Sequence, residues 1–294
     1  MMNALPGGTP AQTPLSTPFA VIEAAALTDV GLVRQTNEDA VVASYPVYLV
    51  ADGMGGHDAG RKASEIVAEE LGSLAGSTPT IADVRGAIDR ADERVASLTN
   101  PDPHRRAGAT LSGVIVLVES GEPGEPGEPY WLVVNVGDSR TYRLAHGNLE
   151  QLSTDHSEIQ ELVDSGKVTP DEARSHPRRH VVTRAIGSGH RHTPDYWLIP
   201  MGERDRILIC SDGLTDELDD AALVAALSTH ASPGPAAESL LLAALQAGGR
   251  DNVSVVIVDA WDVRASGGVE TTRGDLADED TITRDQVPVA GGSP

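Results

Sequence analysis

Seven short, almost continuously apolar runs limit most strongly what this chain can fold into. They fall at residues 20–27, 47–51, 111–118, 130–136, 141–144, 207–210 and 253–258. Many of their residues are β-branched, as in strands covered on both faces. Helical spacing appears between groups of them. It places Ala63, Ile66, Val67 and Leu71 on one face, then Val84, Ala87, Ile88, Ala91 and Val95, and returns in the Ala- and Leu-rich stretch 221–245. Strands followed by a helix pair, then strands and a second helix pair, fit an α+β fold of packed sheets flanked by helices better than a doubly wound βαβ sheet. With one Phe, three Trp and five Tyr, the core must be filled by Ala, Val, Leu and Ile.

The ends of the chain differ from this body. Residues 1–18 are Pro- and Thr-rich and hold four prolines and no charge. Residues 263–294 are Gly-, Thr- and acid-rich, with six acids against three arginines. Such compositions bury too little apolar surface to offset chain entropy, so both are expected to be flexible tails around one domain at 19–262. The triple Gly-Glu-Pro run at 121–129 reads as a long hairpin loop between two strands. Thr169-Pro170-Asp171-Glu172 carries a capping box with Pro at the first helical position, and marks a short helix in a small flap insertion at about 157–180.

Forty-four acids against 22 bases give a formal charge of -22, which disfavours nucleic-acid backbones and anionic membranes as partners. Cys210 is the sole cysteine, so an internal disulfide and any Cys-rich metal site are excluded. No apolar stretch approaches the roughly 18 residues that span a bilayer, and the expected location is the cytoplasm. Against the overall charge, residues 174–192 hold five arginines, four histidines and no acid. This segment fits either a basic lip that attracts phosphorylated segments or a solvated flap. Its arginines argue against a cation at its histidines.

The positions of certain aspartates point to chemistry. Asp52, Asp138 and Asp212 each follow an apolar run, and the pair Asp251-Asn252 directly precedes one. Alone, Asp52-Gly53 or Asp212-Gly213 also fits a plain turn. Together, carboxylates converging at one end of a sandwich would repel unless a cation joined them. Hard oxygen donors point to Mg²⁺ or Mn²⁺, and two such ions about 4 Å apart can activate a water for attack on phosphorus.

The words around these acids occur in a fixed order. They are Thr28-Asp29-Val30-Gly31-Leu32-Val33-Arg34-Gln35-Thr36-Asn37-Glu38-Asp39, Asp52-Gly53-Met54-Gly55-Gly56-His57, Val136-Gly137-Asp138-Ser139-Arg140, Ser211-Asp212-Gly213-Leu214-Thr215-Asp216 and Asp251-Asn252-Val253-Ser254. Together they resemble the metal-dependent type 2C serine/threonine protein phosphatases (PPM family), in particular their bacterial branch, over roughly residues 20–260. Gly108-Ala109-Thr110, Leu152-Ser153-Thr154-Asp155-His156-Ser157 and Val182-Thr183-Arg184-Ala185-Ile186-Gly187 agree more weakly. The resemblance implies a four-layer β-sandwich of two antiparallel sheets flanked by helix pairs. It implies that Asp52 bridges two Mn²⁺ or Mg²⁺ ions, that Gly53 offers its carbonyl, and that Asp212 and Asp251 complete the first ion. Glu38 and Asp39 would hold metal-bound waters, and Asp138 with Asp212 matches the position of a third, weaker ion. Arg34 would bind the substrate phosphoryl group, a role suited to a planar guanidinium.

The implied reaction is direct hydrolysis of phosphoserine or phosphothreonine in proteins by a hydroxide bridging the ions, with no phosphoenzyme; Asp52, Asp212 and Arg34 carry it. Implied partners are phosphorylated proteins, serine/threonine kinases or their targets, met by a monomer. Met54 stands where eukaryotic relatives carry a histidine proposed as general acid, which leaves the proton donor open; His57 is nearest and fits a structural place at the next helix. Alternative readings are a phosphoprotein-binding pseudophosphatase and a hydrolase of another phosphoester. Cys210, inside an apolar strand, is expected to be a buried core thiol rather than a nucleophile.

Overall fold

Period-two alternation in the apolar runs sends neighbouring side chains into different cores. A computed structural model of the chain describes residues 8–9, 13–55, 58–98, 107–119, 127–173, 176–188, 194–264 and 281–283. Its main strands are β1 (Val21–Asp29), β2 (Asp39–Ser44), β3 (Val47–Met54), β4 (Gly108–Ala109), β5 (Leu111–Glu119), β6 (Glu128–Val136), β7 (Arg140–Ala145), β8 (Asn148–Gln151), β9 (Asp195–Pro200), β10 (Asp205–Cys210) and β11 (Val253–Trp261). One sheet runs β1-β11-β10-β7-β8 and the other β9-β6-β5-β3-β2, with β4 paired to the end of β3.

Tyr48 and Val50 of β3 meet Ile207 and Ile209 of β10 between the sheets, in a core that also holds Val114, Trp131, Val133, Val256 and Val258. Leu49 and Ala51 point the other way, onto helices α1 (Asp58–Gly72) and α2 (Ile81–Ser97), through Ala63, Val67, Leu71, Val84, Ile88 and Ala91. Leu208 and Cys210 likewise face α6 (Asp220–Thr229) and α7 (Pro233–Ala247), through Leu223, Leu227, Ala237, Leu240 and Ala244. Runs that are apolar on both faces therefore produce four layers: helices, sheet, sheet, helices. The α+β sandwich expected from the order of elements is the observed one. Thr281–Thr283, which lies parallel on β9, is the one exception to antiparallel pairing among the strands described.

β2, β8 and β9 were not visible as apolar runs. β2 and β8 are edge strands with half-exposed, partly polar sequences, and β9 begins at Asp195 and ends at Pro200. β5 and β6 pair from Leu111↔Val136 to Glu119↔Glu128, so the Gly-Glu-Pro run does join a hairpin, although residues 120–126 lie outside those described. The capping box forms in the flap, after α3 (Glu158–Asp164): Thr169 N–H donates to Glu172 Oε2 at 2.9 Å and Glu172 N–H to Thr169 Oγ1 at 3.3 Å, ahead of α4 (Pro170–Ala173).

Paired backbone reaches into both expected tails, because Leu15–Ser16 adds to β1, Thr17 Oγ1 donates to Ala20 O at 2.7 Å and Arg264 N–H donates to Phe19 O at 2.7 Å. Gly8–Thr9 also pairs with β1. The rest of 1–18 and 263–294 lies outside the described residues. No helix among the described residues is long and apolar enough to cross a membrane.

Candidate active site

Strands from both sheets end in acids at the same end of the sandwich. Asp52 lies near the end of β3 and Asp39 begins β2 directly opposite it in the antiparallel register. Asp212 opens the short helix α5 (Asp212–Thr215) just after β10, Asp138 sits in the turn from β6 to β7, and Asp251 lies two residues ahead of β11. They surround a cleft of about 750 Å³ lined by Arg34, Glu38, Asp52, Gly53, Asp138, Asp212 and Asp251. Asp39 lies behind it, where its Oδ2 accepts from Ser211 Oγ at 2.8 Å and Ser254 Oγ at 2.6 Å. All eight residues singled out in the sequence are thus brought to one place.

Close approach of the backbone explains Gly53. A Cβ there would stand 2.1 Å from Gly60 O and 2.6 Å from Glu38 O, so only glycine lets β3 pass between α1 and the loop ahead of β2. That loop is pinned by Asn252. Its Oδ1 accepts from Glu38 N–H at 2.8 Å, and its Nδ2 donates to Val30 O and Thr36 O, both at 3.0 Å. The loop in turn presents Arg34, whose Nη2 donates to Asp251 Oδ2 at 2.6 Å while its guanidinium stays half-exposed at the cleft. Asn252→Ala would strand buried backbone groups of this loop. A loss of about 1–3 kcal/mol in stability is expected by urea denaturation, with weaker phosphate binding at Arg34.

The acids destabilise one another's charged forms. Burial, then Asp39, Asp212, Asp138 and Asp251, raises the Asp52 carboxyl well above its ordinary value. Asp138 is raised likewise by burial, Asp212 and Asp155. Burial, Asp216 and Asp251 push Asp212 up to about 6, and burial pushes Asp39 up to about 7 against the opposing Ser254 and Ser211 hydrogen bonds. Asp39 Oδ1 is buried and makes no hydrogen bond. An all-oxygen donor set, mutual repulsion and an orphaned buried carboxylate oxygen together fit hard divalent cations, which would neutralise this cluster.

Some cleft residues were not expected from the sequence. The flap brings His180 Nδ1 to 3.4 Å from Asp216 Oδ2 and 3.9 Å from Asp212 Oδ2. Among the described residues, His180, Asp212 and Asp216 offer ligand atoms within 4.8 Å of one another, although the arginine-rich segment argued against a cation there. Asp216 was legible in principle, because it lies four residues after Asp212 across one helical turn. Arg250 lines the mouth and grips the buried Glu217 carboxylate at 2.9 and 3.0 Å. Of the basic segment, Arg179 and His180 line the cleft, whereas Arg178 pairs with Glu158 and Arg184 with Asp195. Residues 174–175 and 189–193, with His190 and His192, lie outside the described residues, as does His57. Met54 lines the cleft and has no proton to donate. Cys210 is fully buried and its thiol is pushed up to about 12, as a core residue requires.

Fold and site together define a four-layer sandwich with an open, carboxylate-walled cleft between the ends of its sheets. The protein phosphatase 2C family model matches residues 31–246, and the chain belongs to that family. It is 37% identical over 246 residues to the serine/threonine protein phosphatase PstP of Mycobacterium tuberculosis, covering 82% of this chain and 46% of that protein. The chain therefore spans about half the length of that relative. It is 30% identical to the protein phosphatase PhpP of Streptococcus pneumoniae, covering 81% of this chain and 97% of that one. Among solved structures, the PPM Ser-Thr phosphatase MsPP of Mycobacterium smegmatis in complex with cacodylate superimposes with a TM-score of 0.70 at 41% identity, covering 84% and 99% of the two chains. The catalytic domain of PstP in complex with two manganese ions gives 0.72 at 34%, covering 82% and 99%.

Proposed function

We propose that the chain is a Mn²⁺- or Mg²⁺-dependent protein serine/threonine phosphatase. The observation that carries this reading is the convergence of Asp52, Asp138, Asp212 and Asp251 on a cleft to which Asp251 also ties Arg34. Membership of the family and the manganese complex of the PstP catalytic domain support it. Asp52, Asp212 and Asp251, with the Gly53 carbonyl, would hold two cations; Glu38 and Asp39 would support them through bound water, and Asp138 with Asp212 would take a third, weaker one. Bound there, the cations supply an activated water and offset phosphate charge. Arg34 orients the phosphoryl group with its fork, and Asp251 keeps that guanidinium at the cleft rather than in solvent. Arg179 and His180 close the flap side of the cleft. The substrates are phosphoserine and phosphothreonine in proteins, and the opposing enzymes are serine/threonine kinases. The domain at 19–262 works as a monomer in the cytoplasm.

The test is a phosphothreonine-peptide assay with Mn²⁺, with EDTA and with Asp212→Ala. Turnover is expected with Mn²⁺ alone and not in the other two; equal turnover in all three sinks the reading. For Arg34→Ala, the expected outcome is phosphate affinity weakened about tenfold or more with Mn²⁺ binding retained, read by calorimetry. Lost Mn²⁺ binding would contradict the role given to Arg34.

A further inference from the structure

The turn that carries Asp138 does not hold itself. Gly137 has a φ of +104°, and a Cβ there would stand 2.6 Å from Thr110 Cγ2, so the turn keeps a left-handed conformation against a close neighbour. Two side chains support it: Asn135 Nδ2 donates to Gly137 O at 3.1 Å, and the almost wholly buried His156 holds the Gly137 peptide from across the fold. His156 Nδ1 accepts from Gly137 N–H at 3.1 Å, and His156 N–H donates to Gly137 O at 2.8 Å. Because Nδ1 accepts, the ring proton sits on Nε2, which donates to Asp195 Oδ2 at 3.0 Å. Arg184 Nη1 donates to the other Asp195 oxygen at 3.1 Å and lies 3.2 Å from Nε2, so ring and guanidinium converge on one carboxylate.

The same residue closes the base of the flap. His156 O accepts from Thr183 N–H at 2.8 Å, and the next residue, Ser157, bridges to Val182. Both ends of the flap therefore meet at His156, and the returning turn carries Arg179 and His180 to the cleft. One side chain and its peptide units join three things that the sequence keeps apart: the Asp138 turn, the flap, and the start of β9 at Asp195.

We propose that His156 is a positioning residue that sets the Asp138 carboxylate and the base of the flap as one unit. It touches neither substrate nor reacting atoms and acts through the Gly137 peptide. The inference rests on reading Asp138 as a cation ligand. Its consequence is that the cation affinity at Asp138 depends on the acceptor offered to Gly137 N–H, not merely on a filled volume at position 156.

Two substitutions separate the two ends of the ring. His156→Asn keeps an acceptor near Nδ1 and loses the donor to Asp195. His156→Gln reaches Asp195 and leaves Gly137 N–H without an acceptor. Mn²⁺ binding to the full chain is followed by calorimetry and by electron paramagnetic resonance, and Asp138→Asn identifies the component that belongs to Asp138. His156→Gln is expected to weaken that component about tenfold or more, the effect typical of losing a partner that orients a ligand, with His156→Asn staying within about threefold. The remaining Mn²⁺ binding is unchanged in both. Should His156→Gln not melt cooperatively, Asp195→Leu, which removes the carboxylate that fixes the ring proton on Nε2 and so frees Nδ1 to take that proton or turn away from Gly137 N–H, is expected to weaken the same component. The proposal is overturned if His156→Gln and His156→Asn behave alike, if all Mn²⁺ binding falls together, if the Asp195→Leu protein binds as the parent does, or if Asp138→Asn removes no component. Phosphopeptide turnover by the parent chain is scored separately; its absence would remove the proposed activity and leave the Mn²⁺ comparison intact.

Discussion

Asp52→Asn is expected to abolish Mn²⁺-dependent turnover, by at least about a thousandfold, while making the metal-free protein more resistant to heat. Both effects have one cause. Asp52 faces Asp39 across the β2–β3 register and lies within reach of Asp138, Asp212 and Asp251, all of which disfavour its charge. With cations bound, that negative charge is the attraction that holds them, and asparagine offers only a neutral oxygen. Without cations the same charge only repels its neighbours. Replacing it with an isosteric amide relieves that repulsion, so the melting temperature in EDTA is expected to rise by about 2–4 °C, the shift that about 1 kcal/mol produces in a domain of 150–250 residues. Differential scanning calorimetry in EDTA, paired with a phosphopeptide assay in Mn²⁺, checks both halves. A variant that keeps parental turnover, or one that melts lower in EDTA, would refute the account.

This opposition of stability and function explains why so much of the site was legible in sequence. An acid at the end of a run such as 47–51 or 207–210 fits a plain turn when taken alone, but the same placement repeated at several strand ends marks a functional cluster. The central strands were legible for the related reason that residues alternating between two buried faces leave no polar positions, as Ile207, Leu208, Ile209 and Cys210 show. The edge strand β8, Asn148–Gln151, alternates exposed and half-buried residues and carries no such mark.

What the sequence hid were contacts across long separations. His180 reaches Asp212 and Asp216 because the flap folds back over the cleft, and nothing in the local spacing of 174–192 encodes that direction. His156 stood inside a recognised word, yet its work lies in partners 19 and 39 residues away, Gly137 and Asp195. Asn252 was read as part of a metal motif, whereas its side chain is spent on the backbone of the loop that carries Arg34 and Glu38.

Stability and Mn²⁺ affinity are expected to run in opposite directions with pH. Asp39 and Asp212 titrate near 7 and near 6 in the folded, metal-free protein, and Asp52 and Asp138 lie well above the ordinary aspartate value of 3.8. Between about pH 4 and pH 7 the folded state therefore holds protons that the unfolded chain has released. Stability then falls as pH rises through that window, because the unfolded state binds fewer protons than the native one. Cations compete for the same oxygens. Each proton that Mn²⁺ displaces makes the apparent affinity rise about tenfold per pH unit until the carboxyls are ionised, so affinity climbs from about pH 5 through pH 7. Melting curves in EDTA should accordingly descend from pH 5 to pH 8, and those in excess Mn²⁺ should stay nearly flat over the same range, because the carboxyls are then ionised in the loaded protein and in the unfolded chain alike. Calorimetric titration near pH 6 in two buffers of different ionisation enthalpy counts the released protons directly. Binding heats that do not depend on the buffer, or an EDTA melting temperature that rises with pH, would mean that the cleft acids are already ionised and that their mutual repulsion is not what the cations relieve.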